Sequence, residues 1–558
     1  MNRPVFLKAF CVGLACMMSS PSQVNSSAKI EASRVVAHVK MLASDAFEGR
    51  APGTAGEKKA VDYIVSQFMA SGVKPGGDPD GHGGARWTQA VPLAEAEITG
   101  PVIASIKTGA HIQTLRQSEE IALRATALPV SKVEVKNAPI VFVGYGVKAP
   151  ERQWDDFKGV DLHGKIAVVL INDPDFEADL GGRFDGKSMT YYGRWTYKYE
   201  EAARRGALGV LIVHETEPAS YGWATVKNSN TAATFDIHRQ NPADTHVLVE
   251  AWIQRPVAVE MFRSAGLDFE AEKKKAQSAE FKPVTLTGAT FSVECAVKHT
   301  EVVSHNVAAI VKGSKHPDET VIYTAHWDHL GVGLPDAKGD RIYNGAQDNA
   351  LGVAGLLELA RVYGSQPAPE RSVVFLAVTA EEKGLLGSEY YAHNPLYPLA
   401  LTAAVYNMDG GSTVGPSRDV TVAGDGKISL QDDLAKAAQR EGRRLSPDAQ
   451  PEKGSFYRSD HFSFAKVGVP AISFKAGQDL VDGGVAAGKL ASDNYTANRY
   501  HQPADEYSDS WNLRGMVMDT QLLYTVGREM ANSRTWPEWR QGSEFKARRD
   551  ATAALRKK

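Results

Sequence analysis

Short apolar runs alternate with amphipathic segments along much of this chain. The alternation is most regular from residue 305 to about residue 534, where TVIYTA, SVVFLAVTA, TAAVYN and VPAISF predict buried strands. Between these runs, DNALGVAGLLELARVYG and WNLRGMVMDTQLLYTVGREMAN have the spacing of amphipathic helices. Strands that alternate with helices are typical of α/β proteins. The pattern therefore predicts an α/β domain here.

Two earlier stretches have different patterns of predicted helices and strands. In residues 29–128, FEGRAPGTAGEKKAVDYIVSQFMASGV predicts a helix with Ala60, Ile64 and Phe68 on one face, so this piece is expected to be helix-rich. In residues 129–292, APIVFVGYGV and GKIAVVLIND predict strands, and KYEEAARRGALGVLIVHE predicts a helix followed by a strand. No cluster of metal-binding side chains occurs in this second stretch. We interpret it as an inserted β-rich module rather than a second catalytic domain.

The first 28 residues have the order of a secretory signal. Arg3 and Lys8 precede the apolar run 9–18, which is followed by the small and polar SSPSQVNSSA. We predict a signal peptide over residues 1–28 and a periplasmic or secreted protein. A lipid anchor at Cys16 ranks second, because Gly13 stands where such a signal needs a branched aliphatic residue.

Length, charge and cysteine content limit the kind of protein that this chain can form. At 558 residues the chain is long enough for two or three domains. A net charge of −3 gives no bias toward nucleic acid, and no segment after the leader is apolar enough for stable membrane insertion. Residues 536–558 are locally basic and are expected to form a frayed, solvated tail. Removal of the leader would leave Cys295 as the one cysteine, which we expect to be a buried small hydrophobe.

Between residues 326 and 501, side chains that bind metals follow the predicted strands or open the helices after them. The segments are AHWDH, GAQDN, TAEEKG, YNMDG and YHQPAD. The candidate side chains are His326, Asp328, Asp348, Glu381, Glu382, Asp409 and His501. Open α/β sheets place their ligands at strand ends. Two histidines with three carboxylates suit a pair of metal ions, for which Zn²⁺ is the usual choice.

Chemistry suggests a role for several of these side chains. Asp348 suits a bridge between two ions, because a carboxylate has two oxygens. Glu381 and Glu382 are adjacent, so in an extended segment one can bind metal while the other faces the attacking water as general base. Asp328 could orient the imidazole of His326. Each segment alone also fits ordinary structure, since a Glu-Glu pair is usually a solvated surface, but five such segments together favour a metal site.

The motifs AHWDHLG, NGAQDNALGV, AEEKGLLGS, NMDG, RSDHFSFAKVGVPAISF and YHQPAD closely resemble the dizinc exopeptidases of the bacterial leucyl aminopeptidase type, which include prostate-specific membrane antigen. The GYG and ARRGALGVLIV segments resemble a protease-associated domain. The resemblance implies a mixed, mostly parallel central sheet flanked by helices, with an inserted β-rich protease-associated domain. The peptidase domain would comprise residues 29–128 and 293–535, and the insert residues 129–292.

The resemblance also implies a ligand set with two Zn²⁺ ions per chain. One ion would be held by His326, Asp348 and Asp409, and the other by Asp348, Glu382 and His501. Glu381 would be the general base and Asp328 the supporting carboxylate. In relatives the peptide bond after the bridging aspartate is often cis. His329 and His461 are expected to support the site rather than to bind metal.

Arg458 and Tyr457 precede SDH, in a region where related enzymes hold the substrate or the tetrahedral oxyanion. They are therefore candidates for substrate binding, and a plain surface role for Arg458 is the alternative.

The resemblance favours an exported zinc aminopeptidase that hydrolyses N-terminal residues from peptides, with Glu381 as general base. A carboxypeptidase or dipeptidase on the same dizinc site is one alternative. A non-catalytic, receptor-like homologue is another, but it predicts lost ligands and none is lost. Cyclases of glutaminyl peptides rank lower, because they use one zinc and usually lack the insert. The preferred N-terminal residue and the oligomeric state stay open.

Overall fold

A computed structural model describes residues 1, 29–178, 180–424 and 427–556. Residues 2–28, which contain nearly all of the predicted leader and Cys16, therefore lie outside the described residues. In the ranges that are described, no helix combines the length and apolar character that a membrane span requires.

The N-terminal stretch begins with two helices and continues as strands. Its elements are α1 (Ala32–Leu42), α2 (Ala55–Ala70), β1 (Lys74–Pro75), β2 (Thr88–Thr108), β3 (His111–Leu115) and β4 (Ile121–Leu123). Helix α2 is the predicted one, and its Ala60, Ile64 and Phe68 are fully buried. The expectation of a helix-rich piece is wrong for its second half, where β2 alone spans 21 residues. The burial of the β2 side chains alternates over much of the strand, as expected of a strand with one covered face.

The insert contains helices as well as the predicted strands. Its elements are β5 (Lys132–Phe142), β6 (Lys148–Ala149), β7 (Trp154–Asp155), β8 (Ile166–Leu170), α3 (Trp195–Arg204), β9 (Gly209–His214), α4 (Thr216–Ala219), α5 (Trp223–Asn230), β10 (Thr234–Ile237), β11 (Val249–Gln254), α6 (Arg255–Ser264) and α7 (Phe269–Ala276). Strands β5, β8, β9 and β11 are parallel neighbours, and buried apolar side chains cover both faces of this layer. Strand β4, which precedes residue 129, pairs with β11, so the insert's sheet begins before that residue.

The remaining chain forms the second half of the sheet and most of its helical cover. Its elements are β12 (Val284–Val311), β13 (His316–His326), β14 (Gly331–Val332), β15 (Ile342–Tyr343), α8 (Leu351–Gly364), β16 (Arg371–Val378), α9 (Leu386–His393), β17 (Thr402–Met408), β18 (Asp419–Val422), α10 (Leu430–Arg440), β19 (Arg444–Leu445), α11 (His461–Lys466), β20 (Ala471–Ala476), α12 (Gly484–Asn498), α13 (Arg514–Ala531) and α14 (Lys546–Asp550). All four predicted strands and both predicted helices are present.

One continuous sheet joins the two halves, with the order β19-β18-β20-β17-β13-β16-β12-β5-β8-β9-β11-β4. Strands β16, β13, β17 and β20 are parallel, whereas β12 is antiparallel to β16 and β18 is antiparallel to β20. Strand β12 pairs with β16 at one end and with β5 at the other, and β2 runs antiparallel along it. The predicted fold class, a mixed and mostly parallel sheet flanked by helices, is confirmed.

The C-terminal segment packs on the domain. Trp539 is buried against Phe545, with ring centroids 4.8 Å apart, and its indole N–H donates to the carbonyl of Gly468 at 3.0 Å. Arg549 is also buried. The expectation of a frayed tail is therefore wrong up to Arg549, because the buried Trp539 and Phe545 precede the basic residues. Cys295 is a buried free thiol, as predicted.

Candidate metal centre and its cavity

The strand ends bring the candidate ligands to one edge of the sheet. His326 is the last residue of β13, and Asp409 directly follows β17, its parallel neighbour. Glu381 and Glu382 lie just beyond β16, the neighbour on the other side. Parallel neighbours end at the same edge, so these side chains converge there.

Asp348 lies between the two histidines. Its Oδ1 is 3.2 Å from Nε2 of His326, and its Oδ2 is 3.3 Å from Nε2 of His501. Each oxygen therefore faces a different imidazole, which is the arrangement of a carboxylate shared by two ions. The Asp348–Asn349 peptide bond is cis, as the resemblance implied.

Two further carboxylates complete the groups on either side of Asp348. Oδ1 of Asp409 is 3.5 Å from Nε2 of His326, and Oε2 of Glu382 is 3.0 Å from Nε2 of His501. In the set His326, Asp348 and Glu382, one ligand atom from each residue lies within 4.8 Å of the others, and the same holds for His326, Glu381 and Asp409. The structure thus brings together all five predicted metal ligands.

The charges of the side chains in this cluster favour the binding of cations. Within the part of the chain that the structure describes, Nε2 of His326 is buried and has no hydrogen-bond partner although it faces several carboxylates. Burial would lower the pKa of His326, but Glu381 and the other acids outweigh it and raise that pKa well above its usual value. A group with more buried carboxylates than imidazoles is stable only with added positive charge. Imidazole and carboxylate donors at this spacing suit Zn²⁺.

Both imidazoles are oriented through their other ring nitrogen. Nδ1 of His326 lies 3.2 Å from the carbonyl oxygen of Asp328. Nδ1 of His501 lies 2.8 Å from Oγ of Ser229, which is in helix α5 of the insert. Asn228 of the same helix donates to the carbonyl of His501 at 3.0 Å. Nδ1–H donation to a fixed acceptor leaves Nε2 free to bind metal, so the insert helps to build the centre.

Asp328 acts mainly on the loop that carries the two glutamates. Its Oδ1 accepts the N–H of Glu381 at 3.0 Å and its Oδ2 accepts the N–H of Glu382 at 3.3 Å. The same carboxylate is 3.6 Å from Nδ1 of His326, so the imidazole has its closer contact with the Asp328 carbonyl. Asp328 therefore positions the glutamate loop as well as supporting the histidine.

Glu381 and Glu382 differ in their partners. Glu382 faces His501 and also His329, whose Nδ1 is 2.6 Å from its Oε1. Glu381 has its nearest histidine contact at 3.9 Å, with His326. Burial raises the pKa of Glu381 well above its usual value, although the His326 charge opposes this. Glu382 thus contacts two imidazoles, and Glu381 is a less constrained carboxylate beside the centre.

Two further residues hold the backbone of the site and were missed in the sequence. Asp505 accepts the N–H groups of Gln347 and Asp348, each at 3.1 Å. The buried guanidinium of Arg50 donates to the carbonyls of Trp327, Asn344 and Gly345 at 2.8, 2.7 and 3.0 Å. These contacts connect the loop after His326 with the loop before Asp348. Arg50 lies in the segment that predicts helix α2 and Asp505 lies in YHQPAD, but their partners are distant in sequence.

A cavity of about 950 Å³ opens over the centre, and residues of the insert and of the peptidase domain line it. Arg458 lines it and donates to the carbonyl of Ala219 at 3.0 Å and to Oγ of Ser220 at 2.9 Å. Tyr457 also lines the cavity, but its hydroxyl is 3.4 Å from Glu544. His461 is buried with its ring centroid 4.9 Å from that of Phe456, which is a packing position.

Comparison with known proteins agrees with this geometry. Residues 306–525 match Peptidase family M28. A probable zinc metalloprotease of Pyricularia oryzae is 32% identical over 154 residues, which cover 27% of this chain and 30% of that protein. Aminopeptidase YwaD of Bacillus subtilis is 32% identical over 181 residues, which cover 31% of this chain and 36% of that protein. The chain thus spans about a third of the length of these curated relatives.

Solved structures match over more of the chain. An aminopeptidase from Aneurinibacillus sp. strain AM-1 has a TM-score of 0.52 and 21% identity, covering 90% of this chain and 94% of that one. BSAP, a zinc aminopeptidase from Bacillus subtilis, has a TM-score of 0.50 and 19% identity, covering 93% and 98%. At these identities the likeness shows the fold.

Proposed function

Because residues 306–525 match Peptidase family M28, we propose that this protein is an exported zinc aminopeptidase that hydrolyses N-terminal residues from peptides. The observation that carries the proposal is the position of Asp348 between His326 and His501, with Glu381 beside them. The zinc metalloprotease and aminopeptidase relatives support the same chemistry.

Two Zn²⁺ ions are proposed, one held by His326, Asp348 and Asp409 and the other by Asp348, Glu382 and His501. Bound there, zinc supplies Lewis acidity that polarises a scissile carbonyl and makes water a better nucleophile at neutral pH. The chain itself supplies the ligands, their orientation and the proton acceptor.

Glu381 is the proposed general base. Its carboxylate would take a proton from the attacking water and return it to the leaving amine, so that one group serves both halves of the hydrolysis. The Asp328 contact to its backbone N–H keeps this carboxylate beside the centre. Tyr500 lines the same cavity next to the ligand His501, with ring centroids 3.9 Å apart, and its hydroxyl is a candidate donor to the developing oxyanion.

The carboxylates around the centre favour a substrate with a free N-terminal amine. Glu381 and Asp409 line the cavity, and an α-ammonium group is a natural partner for carboxylates there. An acetylated amine carries no charge and would not compensate this negative charge, which disfavours its binding in a partly buried site.

A panel of peptides and their N-acetylated forms tests this function, with zinc content measured on the same samples. We expect cleavage of the free peptides from the N-terminus and loss of cleavage after acetylation, with Glu381→Gln as the inactive control. Equal cleavage of free and acetylated peptides would refute the aminopeptidase assignment. A strict need for a free C-terminus whatever the peptide length would favour a carboxypeptidase, and no cleavage by the zinc-loaded protein would favour a binding protein.

Export is proposed from the leader alone. Expression of the full chain in a Gram-negative host should give a protein that lacks residues near 1–28 in the periplasm or medium. N-terminal sequencing of that protein would identify the cleavage site, and retention of an intact leader in the cytoplasm would contradict export.

A further inference from the structure

Helix α12 covers part of the cavity over the metal centre but has almost no buried residues. Of its 15 residues, only Gly488 is buried. Tyr495 and Thr496 line the cavity, whereas Val485 and Leu490 are 56% and 71% exposed. An element with few buried apolar contacts shifts or opens at a low cost in free energy. The position of α12 therefore depends strongly on its polar contacts.

The last turn of α12 leads directly into the metal centre. The N–H groups of Arg499 and Tyr500 both donate to the carbonyl of Tyr495, at 2.9 Å each. The ring centroids of Tyr495 and Tyr500 are 6.2 Å apart, and those of Tyr500 and His501 are 3.9 Å apart. The C-terminal end of α12 thus lies beside the candidate ligand His501.

The hydroxyl of Tyr495 contacts a carboxylate that supports the candidate bridging ligand. It donates to Oδ2 of Asp505 at 3.2 Å, and Asp505 is fully buried. The same oxygen accepts the N–H of Asp348 at 3.1 Å, and Oδ1 accepts the N–H of Gln347 at 3.1 Å. The carbonyl of Asp505 also accepts the N–H of Ala346 at 2.9 Å. One carboxylate oxygen therefore links α12 to the backbone of Asp348.

The Tyr495 hydroxyl is the side-chain donor to this oxygen, and the Asp348 N–H is the backbone donor. A buried carboxylate is costly unless its oxygens accept hydrogen bonds. Loss of the hydroxyl would leave Oδ2 of Asp505 with the backbone donor, and the carboxylate could then shift together with the backbone of Asp348. Because Asp348 faces both His326 and His501, such a shift would reach both groups of ligands.

We propose that Tyr495 is a positioning residue, which acts through Asp505 on the bridging carboxylate of Asp348. Both metal sites then depend on the position of helix α12. The role rests on the proposed two-zinc aminopeptidase and deepens it, because it connects the helix that covers the cavity with the carboxylate shared by the two ions. It requires no contact between Tyr495 and either the metals or the substrate.

Zinc titration of Tyr495→Phe against a competing chelator tests this role without a measurement of activity. The variant keeps the ring and loses the hydroxyl, so we expect zinc affinity to fall about 2- to 10-fold at both sites, the range for one hydrogen bond. Thr496→Val is the matched control, because it removes the hydroxyl of the next residue in α12, whose contact is with Lys453 at 3.5 Å. The control should bind both zinc ions as tightly as the wild type. Unchanged affinity in Tyr495→Phe, or a loss confined to one site, would overturn the proposal.

A double-mutant cycle on zinc affinity tests whether Tyr495 acts through Asp505. Asp505→Asn should weaken both sites, and Tyr495→Phe should cause little further loss in that background. Losses that multiply in the double variant would mean that the two residues act independently, which contradicts the proposed link. Should Tyr495→Phe fail to fold, Asp505→Asn alone tests the link, since wild-type affinity at either site in that variant would refute it.

Kinetics at saturating zinc separate positioning from substrate binding. A residue that positions Asp348 affects kcat rather than KM, so Tyr495→Phe should lower kcat and keep KM near the wild-type value. A rise in KM with unchanged kcat would show that Tyr495 binds the substrate instead, and the positioning role would be wrong. If the zinc-loaded wild type cleaved no peptide, the aminopeptidase proposal would fail, while the zinc titrations would still decide the role of Tyr495.

Discussion

The contact between the insert and His501 leads to the most specific prediction. Ser229→Ala removes the hydroxyl that lies 2.8 Å from Nδ1 of His501 and changes no metal ligand. In the metal-bound imidazole Nδ1 carries the proton, so the variant leaves a nearly buried N–H without its acceptor. The side chain of His501 would then be free to rotate away from Asp348 and Glu382.

The expected loss of zinc affinity follows from the role of this contact in orienting His501. Groups that orient a metal-binding histidine typically contribute about 10- to 100-fold to metal affinity, which corresponds to roughly 1.4–2.7 kcal/mol. Asn228 still holds the His501 carbonyl in the variant, at 3.0 Å, so the backbone position is retained. We therefore expect the loss at one of the two metal sites, the one that contains His501, and little change at the other.

Zinc titration against a competing chelator measures both affinities in the same experiment. Ser229→Thr keeps a hydroxyl and should restore most of the affinity. Ser220→Ala is the matched control, because Ser220 is another insert hydroxyl of the cavity wall whose contact is with Arg458 and not with a ligand. If Ser229→Ala bound both zinc ions as tightly as the wild type, the Ser229 hydroxyl would have no part in orienting the His501 imidazole.

Three further predictions concern the same region of the protein. Glu381→Gln should keep two zinc ions and lower kcat by about 10²- to 10⁴-fold, as loss of a general base predicts; kcat near the wild-type value would refute the assignment. Asp348→Ala should weaken both metal sites together and His501→Ala chiefly one, as metal analysis after dialysis would show, and a single ion in the fully loaded wild type would refute the shared carboxylate. Burial opposes protonation of His246, but Glu250 and Asp236 raise its pKa to about 10. Its contribution to stability is therefore complete below about pH 6.5 and is lost as the pH rises toward 10. The difference in free energy of unfolding between wild type and His246→Gln in urea should shrink over that interval; a constant difference would contradict the ion-pair origin.

The ligand set could be predicted from the sequence because it follows local rules. His326 and Asp409 stand at the ends of apolar runs, and parallel strands place such ends at one edge of a sheet. Asp348 comes just before an amphipathic helix, and Glu381 and Glu382 follow a third run. Each of these positions is defined by its neighbours along the chain, so the pattern of strands and helices was enough to bring them together.

The residues that support the site through hydrogen bonds have no such local pattern in the sequence. Ser229 and His501 are 272 residues apart, and nothing around Ser229 marks it as different from any other serine on a helix. Arg50 lies in a segment from which only a helix was predicted, yet its guanidinium binds carbonyls 277 to 295 residues away. A hydrogen bond between distant segments depends on how the layers pack, and periodicity does not report it.

The sequence by itself determined the alternation of strands and helices, the candidate metal ligands and the candidate base, because strand and helix periodicity and donor chemistry are local properties. The tertiary structure decided which carboxylate oxygen faces which imidazole and that the insert contributes Ser229 to the centre. It also decided that the C-terminal segment packs through Trp539. These features arise where separate layers meet, and the free energy of such contacts depends on distance and burial in space rather than on spacing along the chain.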